Sequence, residues 1–391
     1  MRANEQVEES TVMAEVPING KVLVWARTIR GLSVERAAEM LAIPVNDLKA
    51  YESGAQKPLV GFLRTVAAKY KVNFASLLMP EPLPITKLPT DHRTRQNARP
   101  LSIDTLVAIE EISEALDAFE DIGDQDERVL PKLRIGTATL NDNPEEVAAR
   151  ERRLFGVTAA DQRKWRGLSE ARRQWRKLIE HRGVFTYMIA MPEKELSGFS
   201  LLRDGLAAIC VNDSEVSEGA KIFTLFHEYC HLLLRQTGIS DENESNRVEQ
   251  FCNQFAASFL IPRGALAEAV SGFTTPHEFS DYEVTKLATR FRVSKRAMAL
   301  RLERTGFAPS GFYALRTAPW DIPVAKEPAP LAQGQQKFIP IPIPLTLKRL
   351  GRLHPKTVLY AVENHAINSF DAAELIGLKS HTFDKLRAAL R

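Results

Sequence analysis

Hydrophobic positions recur every three or four residues from Val22 to Pro80, with glycines and prolines as interruptions. This spacing predicts short amphipathic helices. The next stretch cannot form a continuous helix because it contains Pro80, Pro82, Pro84, Pro89 and Pro100. We therefore predict an all-helical domain at 15–80, followed by a proline-rich linker at 81–102.

The pattern in the middle of the chain changes from helix to strand and back. A helical period is present over Ile103–Ile122, Pro144–Phe155, Ser169–Arg182, Arg247–Leu260 and Tyr282–Thr305. The runs "GVFTYMIAM" and "GLAAICVND" are short, apolar and bounded by turn residues. They predict strands at Val184–Ala190 and Leu206–Val211, and two or three strands before the next helix.

A second proline-rich stretch, 317–344, separates a basic helical tail from the rest of the chain. The whole pattern predicts a multidomain protein, mainly α with a small β-sheet. An all-α helix–turn–helix domain precedes an α+β domain at 103–316, and a small basic helical domain occupies 345–391. A helix–turn–helix rhythm recurs in "SVERAAEMLAIPVNDLKAYESG", "EVTKLATRFRVSKRAMALRL" and "DAAELIGLKSHTFDKLRAAL".

Composition narrows the class of protein. The 391 residues are 44% hydrophobic and 26% charged, which is ordinary for globular domains, and the net charge of +3 decides little. Apolar runs stay shorter than the roughly 18 residues of a membrane helix, and the amino terminus is too polar for a signal peptide. The three cysteines form neither an even set nor a C-x-x-C pair. A cytoplasmic protein without membrane association is therefore expected.

The segment "TLFHEYCHLLLRQ" carries the most specific chemistry. On a helix, His227 and His231 lie one turn apart on the same face, so both imidazoles can bind one divalent metal. Zinc is the usual occupant, and a catalytic zinc has three protein ligands and one water. Glu228 is placed to reach that water and act as general base, and then to return the proton to the departing amine.

Glu242, Glu244 and Glu249 are the candidates for the third ligand. The first two lie in a polar loop, whereas Glu249 lies on a helix whose apolar residues predict packing against the histidine helix. A rigid helix positions a ligand better than a loop, which favours Glu249. Asn253, one turn further on, is predicted to orient a metal ligand through a hydrogen bond.

A simpler interpretation is that these histidines belong to a buried helix without a metal. Five-residue H-E-x-x-H strings arise by chance. Burying two imidazoles without partners costs about 2 kcal/mol or more, however, so a buried pair implies ligation or hydrogen bonding. Cys230 is a further candidate for a metal ligand or redox switch, although a free cysteine is most often a small buried hydrophobe.

The motifs "IFTLFHEYCHLLL" and "VEQFCNQFAASFLIP" resemble the ImmA/IrrE family of zinc-dependent metallopeptidases. The resemblance covers roughly Trp175 to Gly306 and implies that the α+β domain at 103–316 is a zincin-like metallopeptidase domain. It implies His227, His231 and Glu249 as zinc ligands and Glu228 as catalyst. Many members have an acidic residue where this chain has Phe251. The resemblance also implies a protein substrate, since such proteins relieve repression through limited cleavage of a DNA-binding regulator.

The segment "WARTIRGLSVERAAEMLAIPVNDLKAYESGAQKP" resembles the XRE family of Cro and repressor-like helix–turn–helix domains. Val45, Asn46 and Lys49 near the start of the recognition helix then face the DNA bases. The family's usual phosphate-binding glutamine is replaced by Val34. Helix–turn–helix modules also serve in protein docking and dimerisation, so protein interaction and a homodimer are the alternatives to DNA binding.

The basic tail allows a further helix–turn–helix with nucleic-acid binding, or a solvated charged surface on which His354, His365 and His381 lie. Together these features predict a regulatory zinc metalloprotease that cleaves a repressor or another regulatory protein and binds DNA. The alternatives are a non-proteolytic transcription factor with a structural or ligand-sensing zinc site, and a toxin–antitoxin component that acts by binding. The presence of Glu228 favours the enzyme, because a structural site has no use for a general base.

Overall fold

The structure is a computed structural model that describes residues 15–83, 101–192, 195–215, 217–235, 242–272, 278–320 and 342–391. The described residues form two compact units. The first unit contains those up to Ser113, and the second contains those from Glu114 onward, so the division falls inside the helix Ile103–Gln125. No helix within the described ranges is long and apolar enough to span a bilayer.

The first unit is helical, as its three- to four-residue hydrophobic period predicts. Its helices are α1 (Gly20–Thr28), α2 (Val34–Leu41), α3 (Val45–Ser53) and α4 (Val60–Tyr70), and the unit also includes the start of α5 (Ile103–Gln125). The Ser33 side chain caps α2 by accepting a hydrogen bond from the Arg36 amide. Ala37 is fully buried, which lets the helices approach closely. Pro44 occupies the N-cap of α3, one position before the helix begins.

The second unit surrounds a three-stranded sheet with helices. Its helices before the tail are α6 (Pro144–Phe155), α7 (Ala159–Lys164), α8 (Leu168–His181), α9 (Glu218–Leu234), α10 (Glu242–Leu260), α11 (Arg263–Val270), α12 (Asp281–Phe291), α13 (Lys295–Arg304) and α14 (Phe312–Thr317). Its strands are β1 (Val184–Ile189), β2 (Gly198–Leu202) and β3 (Ala207–Asn212). The two strands predicted by range are confirmed to within one residue at each end.

The sheet has the order β1-β3-β2, with β1 parallel and β2 antiparallel to β3. All six residues of β3 are buried, because the strand is central and covered by helices. Next to the sheet, α9 and α10 pack through aromatic side chains. The rings of Phe226 and Phe259 stack 4.1 Å apart, and Trp175 of α8 meets Phe226 edge to face at 5.1 Å. This core fixes α10 against the histidine helix.

The tail consists of α15 (Ile343–Leu350), α16 (Leu353–Glu363), α17 (Ser369–Ile376) and α18 (Phe383–Leu390), and it belongs to the second unit. The expectation that His354 lies on the surface is wrong, because this side chain is buried. Its Nδ1 lies 2.9 Å from the Tyr187 hydroxyl of β1, and its Nε2 lies 3.0 Å from the Leu375 carbonyl oxygen. Burial lowers the pKa of His354 to about 4, so the imidazole is neutral at pH 7.

A buried charged network joins α8 and β1 to the tail. The Arg176 guanidinium donates to the carbonyl oxygens of Lys348 and Arg349 at the end of α15. The Glu180 carboxylate lies 3.6 Å from Arg176 and accepts a hydrogen bond from the Arg352 amide at 3.2 Å. Burial raises the pKa of Glu180, while Arg176 and these donors favour its ionised form. The network therefore satisfies carbonyl groups that the helix end alone would leave unpaired.

Candidate metal centre

The histidine helix α9 begins at a side-chain cap, since Ser217 accepts a hydrogen bond from the Ala220 amide. Most of its residues are buried, as expected of a helix between a sheet and other helices. His227 and His231 face the same side, one turn apart, and their Nε2 atoms are 3.1 Å apart. The helical spacing predicted from the sequence therefore does direct both imidazoles at one point.

Glu249 of α10 reaches the same point. Its carboxylate oxygens lie 3.4 Å from His227 Nε2 and 3.5 Å from His231 Nε2. One ligand atom from each residue lies within 4.8 Å of the other two. The structure thus brings together the two histidines and the carboxylate chosen from the sequence. The side chains of Glu242 and Glu244, the other two candidates, lie outside the described residues.

The electrostatics of Glu249 suit a cation. Burial alone would raise the pKa of its carboxyl group, but the hydrogen bonds and charge interactions with His227 and His231 outweigh burial, and the pKa lies well below its ordinary value. The carboxylate is therefore ionised at neutral pH and can only accept hydrogen bonds or bind a positive charge. About a third of the Glu249 side chain is exposed, so the cluster is open to solvent on this side.

The spacing of these three residues fits zinc. Donors that share a tetrahedral zinc at about 2.0–2.1 Å lie about 3.3 Å from one another. The two Nε2 atoms are 3.1 Å apart, and each lies 3.4 or 3.5 Å from one of the two Glu249 oxygens, Oε2 for His227 and Oε1 for His231, which is close to that value. Two imidazoles and one carboxylate are also a donor set that catalytic zinc sites use. Among the described residues, no further histidine, cysteine, aspartate or glutamate joins the cluster.

Asn253 lies next to the cluster, as predicted from its position on α10. Its Oδ1 is 3.2 Å from His227 Nδ1. An amide oxygen is an acceptor, so a proton on Nδ1 would satisfy this contact and leave the lone pair of His227 on Nε2, which faces the cluster. Asn253 is thus placed to favour the tautomer of His227 that can bind a metal.

We expect Asn253→Ala to weaken zinc affinity about 10- to 100-fold, because the imidazole of His227 loses the partner that fixes its tautomer. The measurement is competition with a chromophoric zinc chelator. Gln254→Ala is the matched control, since Gln254 is the exposed neighbour on α10. Equal zinc affinities for the two variants would contradict the orienting role.

Glu228 is held by a strand that the sequence analysis did not assign. The Ser200 hydroxyl of β2 donates a hydrogen bond to Glu228 Oε2 at 3.0 Å. The side chain of Glu228 is almost fully buried, at 6% exposure. Gly198 lies on the same face of β2, and a Cβ there would meet the Thr224 methyl group at 2.6 Å. The glycine therefore allows β2 to pack closely on α9, beside the two histidines.

Two features of the sequence could have indicated this role of β2. Gly198 and Ser200 are two residues apart, so they lie on one face of a strand, and Phe199 between them is buried on the other face. The alternation extends over only five residues and includes a glycine. Such a short run is a weak strand signal, which is why Ser200 was missed.

The cysteines near the site are buried, and the Cys252 thiol interacts with Cys230 and His231. Cys230 and Cys252 are fully buried, and neither belongs to the group of three potential ligands. Burial raises the pKa of the Cys252 thiol well above its ordinary value, so it stays protonated. The idea that Cys230 supplies a fourth ligand therefore gains no support. Phe251 is also buried, at the position where many ImmA/IrrE members have an acidic residue.

The residues predicted to contact DNA lie far away along the chain, at the start of α3. Asn46 and Lys49 are exposed there, and Val45 is partly exposed. Leu48, between them, is buried in the core of the first unit. The placement leaves the polar residues of the helix start accessible.

Comparison with known protein families agrees with this site. Residues 179–303 match the family model Peptidase_M78, described as IrrE N-terminal-like domain. The matched segment includes the sheet, both helices of the cluster, and His227, Glu228, His231, Glu249 and Asn253. It indicates a metallopeptidase domain of the ImmA/IrrE type. No curated protein matches the chain.

Proposed function

We propose that the protein is a zinc metallopeptidase that cleaves a regulatory protein. The observation that carries this proposal is the convergence of His227, His231 and Glu249, with the buried Glu228 carboxylate on the same helix beside them. His227 and His231 would hold the zinc through Nε2, and Glu249 through its carboxylate. Asn253 would keep His227 in the required tautomer.

Different residues of the chain have different roles in the proposed peptide hydrolysis. Zinc, when bound, would supply an activated water and polarise the scissile carbonyl group. Glu228 accepts the proton as the amide is attacked and then donates it to the departing amine. Ser200 donates a hydrogen bond to Glu228 Oε2 and so positions this carboxylate for the proton transfer. Low exposure around Glu228 keeps bulk water from competing for that proton.

A structural or ligand-sensing zinc is the alternative. Structural zinc sites have four protein ligands, whereas catalytic sites have three. The described residues offer three, and the partial exposure of Glu249 leaves the cluster accessible from outside. A general base within reach would serve no purpose at a structural site. These features favour catalysis.

The substrate we propose is a DNA-binding regulator, cleaved at one site. The match of residues 179–303 to an IrrE-like domain supports a protein substrate, and the resemblance to ImmA/IrrE proteins supports limited cleavage of a repressor. The cytoplasm, where such regulators act, is the location that this proposal requires.

We expect His227→Ala to lose bound zinc, because two donors are left where three hold the ion. Elemental analysis of the purified protein should give about one zinc per chain for wild type and a small fraction of that for the variant. His181→Ala is the matched control, since this exposed histidine ends α8 and lies outside the cluster. Undiminished zinc in His227→Ala would contradict the ligand assignment.

The cleavage itself is tested in cells. Quantitative comparison of protein termini in cells carrying wild type or His227→Ala should reveal a regulator that is clipped only with wild type. The clipped protein, once purified, should be cut by the purified wild-type protein at the same bond. Identical terminal peptides in the two strains, despite normal zinc in the wild-type protein, would rule out the proteolytic function and leave the sensory one.

We also propose that the first unit binds DNA through α3. The left-handed residue Ala42, at φ 55°, separates α2 from α3, and the start of α3 presents Asn46 and Lys49 to solvent. Asparagine makes bidentate hydrogen bonds with adenine, and lysine contacts guanine or phosphate. Glu35, Glu39 and Asp47 add negative charge nearby, which keeps docking to another protein as the alternative.

For the double variant Asn46→Ala with Lys49→Ala, we expect affinity for DNA from the protein's own promoter to fall at least tenfold, because a base contact and a cation are lost. Electrophoretic mobility shift of the full chain measures this. Lys69→Ala, which removes one exposed cation from α4, is the control for charge alone. Unchanged shifts for the double variant would remove the DNA-binding proposal for α3.

A further inference from the structure

The tail repeats the turn that joins α2 to α3. In each case a helix of eight residues ends at a left-handed residue, Ala42 at φ 55° and Gly377 at φ 71°. The amides of these residues bond back to Ala38 and Ala373, which lie four positions before them. The next amide bonds to the same carbonyl, at 3.1 Å in both places. The two turns therefore share one geometry and one residue spacing.

The buried positions also correspond. One residue after the turn lies an apolar side chain, Ile43 in the first unit and the buried Leu378 in the tail. Six residues after the left-handed position lie Leu48 and Phe383, both buried. In the tail, the 3₁₀ turn Ser380–Thr382 runs directly into α18. With α16 packed against α17 and α18, the tail is a three-helix helix–turn–helix.

A third copy of the turn, between α12 and α13, shows what distinguishes the tail. It too has a left-handed residue, Arg292, and a buried Met298 six positions later. The N-cap of its second helix packs on α9, since a Cβ on Gly219 would meet the Ser294 amide nitrogen at 2.9 Å, whereas Lys295 next to it is exposed. In this copy the N-cap of the second helix therefore contacts the histidine helix.

In the tail, the corresponding helix start is exposed. Ser380 and His381 occupy the positions equivalent to Val45 and Asn46, and both are exposed. Exposed positive charges flank them, at Lys379, Lys385 and Arg391. Asp384 lies on the same helix, and its carboxylate and that of Glu363 on α16 both pair with Arg387 at 2.9 Å, which leaves Lys379, Lys385 and Arg391 in excess. The accessible surface of this helix is therefore cationic, with hydrogen-bonding side chains at its start.

We propose that the tail is a second DNA-binding site, in which Ser380–Thr382 and the first turns of α18 enter the major groove. The major groove of B-form DNA admits an α-helix, whereas that of A-form RNA is too narrow, so the shape of the module selects double-stranded DNA. Lys379 and Lys385 contact phosphates, and His381 and Ser380 approach the base edges. This proposal does not depend on proteolysis or on DNA binding by α3.

The test uses the full chain carrying Asn46→Ala and Lys49→Ala, so that any contribution of α3 is removed. Fluorescence anisotropy measures its binding to a mixed-sequence duplex of about 30 base pairs over a series of salt concentrations. Adding Lys379→Ala and Lys385→Ala should weaken binding about tenfold and reduce the salt dependence by about two charges. Both lysines are exposed, so circular dichroism should show an unchanged fold.

The control is the same parent protein with Lys164→Ala and Lys177→Ala in place of the two tail substitutions. These changes remove two exposed cations from α7 and α8 of the same unit. This control should bind the duplex like its parent. Equal binding by the tail variant and the control would overturn the proposal. The proposal would also be overturned if the tail substitutions weakened binding to single-stranded RNA but not to the DNA duplex, since a groove-binding module requires duplex DNA.

Discussion

Glu228→Gln should abolish cleavage of the regulatory substrate while leaving the protein folded and loaded with zinc. The glutamine keeps the shape of the side chain and can still accept the hydrogen bond from Ser200. It cannot accept the proton released as the amide is attacked. Loss of a positioned general base costs about 10²- to 10⁴-fold in rate. We expect a fall of about 10³-fold in kcat/KM, which corresponds to about 4 kcal/mol of transition-state stabilisation.

The measurement is cleavage of the purified substrate by purified enzyme, with zinc content determined on the same samples. Glu268→Gln makes the same chemical change on α11, where the side chain is exposed, and should retain wild-type activity. A Glu228→Gln enzyme that binds a full complement of zinc and still cleaves at more than a tenth of the wild-type rate would refute the role of Glu228. Loss of zinc in this variant would instead place Glu228 among the ligands.

Glu180→Ala should destabilise the second unit by about 3–5 kcal/mol, because it leaves the Arg176 guanidinium as an uncompensated buried charge. Both side chains are less than a tenth exposed. Burial lowers the pKa of Arg176 from its ordinary value, but a guanidinium keeps its proton in proteins, so the charge remains. The variant also removes the acceptor of the Arg352 amide, so the junction between α15 and α16 loses a hydrogen bond.

Urea unfolding followed by tryptophan fluorescence would measure this change, since the buried Trp175 reports on this core. Lys164→Ala breaks an exposed pair with Asp161 and should cost less than about 1 kcal/mol. Replacing both buried charges, with Arg176→Met and Glu180→Leu, should recover part of the loss. A Glu180→Ala protein as stable as the Lys164→Ala control would show that the buried pair contributes little.

Local sequence patterns predict those elements that are determined by residues close together in the sequence. The strands β1 and β3 are continuous apolar runs between turn residues, and the sequence places them to within one residue. The convergence of His227 and His231 follows from helical spacing alone. The choice of Glu249 needed one further assumption, that apolar residues of α10 would pack on α9, and the stacked rings of Phe226 and Phe259 show that they do.

Other features depend on contacts between residues that are far apart in the sequence, and the local hydrophobic pattern does not predict such contacts. Ser200 reaches Glu228 only because the antiparallel pairing of β2 with β3 places it beside α9. His354 looks like a surface residue in a basic helix, yet it is buried because Tyr187 and Leu375 supply partners for both ring nitrogens. Neither partner is within twenty residues of it in sequence.

The hydrogen bonds from Arg176 to the last carbonyl groups of α15 have a practical consequence for dissecting this protein. A helix whose last carbonyl groups bond to a side chain 172 and 173 positions earlier depends on the rest of the unit for its end. A peptide containing only residues 342–391 would expose those carbonyls together with the apolar face that covers β1, so it would be prone to fray and self-associate. Fragment studies of the tail would thus underestimate what it does, and excision is a poorer approach than point substitution within the intact polypeptide.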